Sequence, residues 1–143
     1  LMVDAAALYS DLHHAGVKFY SWDLGSGKAA TIEMGNRYAV FIDFRNIESS
    51  ADELVTVAHE VGHIETGATH TVSSPYDLIE KHEYKANKYA VQRVIPREDF
   101  LAALSSGYTE IWSLAEYFNV TEEFMRKAAC LYLNGNLASE LYM

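Results

Sequence analysis

Two rhythms of apolar positions run along the chain, one of helical and one of strand period. From Val3 to about Gly16 the residues Val3, Ala6, Ala7, Leu8 and Leu12 recur at helical spacing, with Asp4 near the start and Gly16 just past the end. An amphipathic first helix is predicted. His13 and His14 close it, where the helix dipole favours them without any further role. Three short runs of strand character follow: Val17 to Trp22, Ala30 to Met34 and Tyr38 to Asp43. Gly25-Ser26-Gly27 and Gly35-Asn36-Arg37 read as turns between them, so the simplest pairing is a three-stranded antiparallel meander. The third run is apolar on both faces, which predicts the most buried strand.

Helical rhythm returns at Asp52 and lasts to Glu65, with Ser50 or Asp52 available as its cap and Gly67 as its left-handed terminator. A polar loop containing His70 follows. Ser74-Pro75 is a cap and first-turn pair for a long helix that reaches about Ile95, where Pro96 stops it. Beyond it, Arg97 to Leu104, Tyr108 to Phe118 and Thr121 to Leu133 each read as helix. The stretch from Leu114 to Phe124 resembles a helix-turn-helix. A DNA-reading helix needs basic and amide side chains, and this one offers only Arg126 and Lys127 among acids and apolar residues, so a packing module is expected. The pattern as a whole predicts an α+β chain. Residues 1–96 form a core with a small sheet and two long helices, residues 97–143 a helical subregion of the same domain.

Composition removes several classes of function. Half of the 143 residues are hydrophobic, enough for a core, and a net charge of −9 argues against a phosphate-tracking surface and so against direct nucleic-acid binding. The single cysteine, Cys130, has no disulfide partner and points to a reducing, cytoplasmic setting. No apolar run is long enough to span a membrane.

The chemistry is concentrated in His59-Glu60-Val61-Gly62-His63. Residues four apart on a helix stand on one face, so the two imidazoles can close on a single ion, in the H-E-x-x-H arrangement of zinc peptidases. Leu54, Val57, Val61 and Ile64 fall on the opposite side and can enter a core. Glu60 lies about 100° round from His59, beside the ion but outside its ligand stripe, where a carboxylate can deprotonate water. In the next helix one inward stripe reads Ile79, Glu83, Ala86, Asn87, Ala90, Val94. A carboxylate in such a stripe needs compensation, either from a cation it helps to hold or from a Lys or Arg. Ala86 and Ala90 are small and permit close approach, and Asn87 can offer its carbonyl to the outer nitrogen of a liganding histidine.

With this pentapeptide followed by Glu83-Tyr84-Lys85-Ala86-Asn87-Lys88-Tyr89-Ala90 and then Ile95-Pro96, the sequence from about Val3 to Leu133 resembles the ImmA/IrrE family of metallo-endopeptidases. The resemblance implies a minimal zincin-like fold, with His59, His63 and Glu83 as metal ligands and Glu60 as the catalytic glutamate. It implies zinc as cofactor, with manganese as the alternative. The implied substrate is a helix-turn-helix repressor of a mobile element or stress response. Tyr89 departs from the more usual Phe. A reading from a different class is a metal-binding regulatory protein without proteolytic activity. Three ligands beside an unliganded glutamate favour the enzyme, because a structural zinc site is closed by a fourth protein ligand. The oxyanion-stabilising residue is left open among His70, Tyr76, His82 and Tyr84, and the oligomeric state is not indicated.

Overall fold

In the computed structural model, which describes residues 2–67 and 76–137, the helical stretches of the sequence become helices. Helix α1 (Ala5–His14) starts at Asp4, whose side chain accepts a hydrogen bond from the Ala7 amide at 3.0 Å, and it buries Leu8 and Leu12. Strands β1 (Lys18–Ser21), β2 (Ala29–Met34) and β3 (Arg37–Ile42) follow within a residue or two of the predicted runs.

Their order corrects the expected meander. The sheet is mixed, in the order β1-β3-β2: β1 lies parallel to β3, with Phe19 opposite Val40, and β2 is antiparallel to β3, with Thr31 opposite the same Val40. The central place goes to the strand that is apolar on both faces, since Ala39, Val40 and Ile42 are all buried while the flanking strands carry exposed positions. Gly25-Ser26-Gly27 is therefore no hairpin turn. Its loop crosses the end of β3 and is held there by Asp43, whose carboxylate accepts from the Leu24 amide (3.0 Å) and pairs with Arg45 (2.8 Å). Asn46 adds bonds to the carbonyls of Gly25 and Gly27. By contrast, β2 and β3 are joined as expected through a tight turn, with Gly35 at φ 64°.

Helix α2 (Ser50–Thr66) carries the pentapeptide. Its cap is Ser49, which accepts from the Asp52 amide at 3.0 Å, rather than Ser50 or Asp52. Asp52 is otherwise engaged: Lys28 Nζ donates to both its oxygens at 2.9 Å, and the Glu48 amide donates at 3.0 Å. The helix ends at left-handed Gly67 as predicted. Leu54, Val57 and Val61 are buried, each contributing about 1.5–3 kcal/mol relative to exposure as an upper bound.

Helices α3 (Tyr76–Val94), α4 (Arg97–Ser105), α5 (Ile111–Phe118) and α6 (Glu122–Asn134) complete the chain. The expected Ser74-Pro75 start and His70 lie outside the described residues. The α5 to α6 turn is made by left-handed Asn119, and Thr121 caps α6 with its side chain on the Phe124 amide. One buried cluster draws on all the helices and the sheet, through residues such as Leu12, Val40, Leu54, Val91, Phe100 and Met125. Among the described residues no helix is long and apolar enough to cross a membrane.

Candidate metal centre

The site begins with the face of α2 turned away from the core. His63 is buried and His59 half-buried, and one turn of helix brings their Nε2 atoms to 3.1 Å from each other. From α3, Glu83 places Oε2 2.9 Å from His59 Nε2 and Oε1 3.1 Å from His63 Nε2. These three side chains are the group of His, Cys, Asp and Glu residues with converging donor atoms among the described residues. The Lys or Arg partner left open for Glu83 is not found there, because its contacts are with the two histidines. Glu83 is half-exposed rather than buried, so the inward stripe of α3 opens into a cleft at that point.

Two features draw α3 close enough for this. Ala86 and Ala90 are fully buried small residues on the facing side of α3, as their spacing suggested. The other is Gly62, inside the pentapeptide. A Cβ there would collide with the Ala86 carbonyl oxygen and lie 2.9 Å from its carbonyl carbon, so only a glycine permits the observed approach.

Asn87 presents Oδ1 to His59 Nδ1 at 2.8 Å. An amide oxygen can only accept, so Nδ1 carries the proton and Nε2 of the neutral ring is a bare lone pair. That lone pair, the His63 ring and a carboxylate then converge on one point. Such a set fits a divalent ion: tetrahedral bonds of 2.0–2.1 Å hold ligand atoms about 3.3 Å apart, within a few tenths of the separations here. Histidine nitrogens with one carboxylate are a donor set that suits several first-row divalent metals.

Glu60 is buried and stands beside this group without belonging to it. Its Oε1 accepts a 2.7 Å hydrogen bond from the hydroxyl of Thr31 on edge strand β2, a contact no local pattern could have indicated. The cleft against His59, Glu60 and Glu83 has a volume of about 430 Å³ and runs from Lys28 and Ala29 to Phe124 and Lys127. The N-terminal part of α6, expected to serve packing alone, therefore also walls the cleft. A second hollow on the β2 side is lined by Ala29, Ala30 and Thr31 with His59, Glu60, His63 and Glu83. Of the oxyanion candidates, the Tyr84 hydroxyl is engaged by the Leu137 amide at 3.3 Å, and the side chains of residues 70 and 76 lie outside the described set.

Comparison with protein families finds a match to the IrrE N-terminal-like domain, a peptidase family, over residues 7–129. No curated protein and no solved structure matches.

Proposed function

The chain belongs to the IrrE N-terminal-like family of metallopeptidases, and from that premise we propose that it is a zinc-dependent endopeptidase cutting a protein substrate. The observation that carries the proposal is the meeting of His59, His63 and Glu83 at one point, with Glu60 beside them and outside their group. Three protein donors leave a coordination position open, which hydrolysis requires. Cys130, the fourth ligand that a closed structural site would want, is buried in α6 and outside the donor group.

An ion bound there supplies Lewis acidity, lowering the pKa of water and polarising a carbonyl. The chain's own residues do the rest. Asn87 holds His59 in the tautomer that directs Nε2 into the site. Glu60 accepts a proton from the attacking water and returns it to the leaving amine, using the oxygen that Thr31 does not occupy. Edge strand β2 lines the same hollow, so an extended peptide can pair with its outer edge, which pairs with no other strand among the described residues, while its side chains enter the cleft walled by α6. The substrate we favour is a helix-turn-helix repressor of a mobile element or stress response, cut in the cytoplasm.

The test is to express the chain with a repressor encoded beside it, and to compare wild type with Glu60→Gln. Both should hold about one metal ion per chain, and only the wild type should cut. Equal cleavage by the variant would overturn the hydrolytic assignment. Binding of the repressor without any cleavage by either would favour a metal-dependent regulatory protein.

A further inference from the structure

Glu60 poses a problem that the metal centre alone does not solve. A carboxylate next to a divalent cation in a half-dry cleft is strongly attracted to it, and a Glu60 that became a ligand would fill the open position and cease to be a base. In the structure it stays out of the converging group. Thr31 is its one hydrogen-bond donor among the described residues, at 2.7 Å to Oε1. The register explains why Thr31 is available: it pairs with Val40, the buried centre of the sheet, so its side chain turns inward to α2 while Ala30 and Ile32 point outward.

We propose that Thr31 is a positioning residue, whose hydroxyl tethers Glu60 Oε1 to the edge strand, keeps the carboxylate out of the ligand set and leaves Oε2 free to move a proton. The proposal rests on the metallopeptidase reading of the site. A threonine suits the task because it only needs to donate, its branched side chain is at home in a strand, and its reach is too short to bring it into the ligand set itself.

The test uses cobalt(II) alone and needs no substrate. Cobalt is titrated into the full chain, and its affinity and visible d–d absorption are read for wild type, Thr31→Val, Thr31→Ser and Glu60→Gln. Thr31→Val keeps the side-chain shape without the hydroxyl, and Thr31→Ala serves the same comparison if the valine variant does not fold. Releasing Glu60 as an added ligand should tighten cobalt binding about 10-fold and change the absorption bands. Thr31→Ser should keep the wild-type spectrum. In a Glu60→Gln background Thr31→Val should change neither quantity, because the neutral amide is a poor ligand. An unchanged affinity and spectrum in Thr31→Val would overturn the proposal, as would an effect that persists without the Glu60 carboxylate. Wild-type protein whose cobalt binding is indifferent to Glu83→Ala would instead overturn the metal centre itself.

Discussion

Gly62→Ala adds one methyl group at a position that the metal-binding pattern leaves unspecified, and it should damage the site from behind. The new Cβ would lie 2.9 Å from the carbonyl carbon and 3.0 Å from the Cα of Ala86, closer still to the carbonyl oxygen. Backbone atoms cannot rotate away as a flexible side chain can. Restoring ordinary contact therefore requires α3 to retreat from α2 by on the order of 1 Å. Alanine gains about 1 kcal/mol over glycine in a helix interior. Overpacking a close-packed interface costs about 1–3 kcal/mol, so the net expectation is a modest destabilisation of roughly 1 kcal/mol. The effect on metal should be larger. Glu83 and Asn87 lie within a turn of Ala86 on the same helix, so the retreat withdraws a candidate ligand and the acceptor of His59 together. Zinc affinity should fall by about 10- to 100-fold, the range expected when support around a metal ligand is lost. Urea unfolding of the metal-free protein and zinc titration against a competing chelator measure the two quantities separately. Wild-type zinc affinity in a variant that folds would refute the claim that Gly62 sets the distance from Glu83 to the histidines.

Further expectations concern single side chains. Glu83→Ala should reduce zinc affinity by more than about 100-fold and Asn87→Ala by about 10- to 100-fold, while Glu80→Ala, exposed and outside the donor group, should leave it unchanged; isothermal titration decides among them. Asp43 is held well below the usual carboxylate range, chiefly by the Arg45 guanidinium and then by the Leu24 amide. A depressed folded-state pKa gives stability that is present above the unfolded value of about 4 and is lost as pH falls below it. Asp43→Asn should accordingly lower Tm at neutral pH, with a difference from wild type that narrows in acid, and a constant difference across that range would count against the assigned cause. The α5 to α6 pair should not bind duplex DNA tightly, given the acidic chain; submicromolar, salt-dependent binding in a titration would reverse that view.

What the sequence determined by itself is local. Helical period set His59 and His63 on one face of α2 with Leu54, Val57 and Val61 on the other, because residues one turn apart share a face in any helix. Gly67 as the end of α2 and Thr121 as the cap of α6 were legible for the same reason, since capping depends on a few neighbouring residues. The Glu83 stripe and the small residues Ala86 and Ala90 also showed in the period of α3. Tertiary structure decided whatever depends on partners distant in the chain. Turn signals mark where strands end but not which strands become neighbours, so β3 took the centre because its apolar faces are best buried there, and the meander gave way to a mixed sheet. Gly62 has no distinctive local role in a helix, and its necessity exists only against the carbonyl of Ala86. Thr31 reads as an ordinary strand residue until the packing of β2 on α2 aims its hydroxyl at Glu60, and α6 becomes a cleft wall only when docked beside α2 and α3. Periodicity records which way a side chain faces within its own element, whereas the identity of what it faces is settled by how the elements pack.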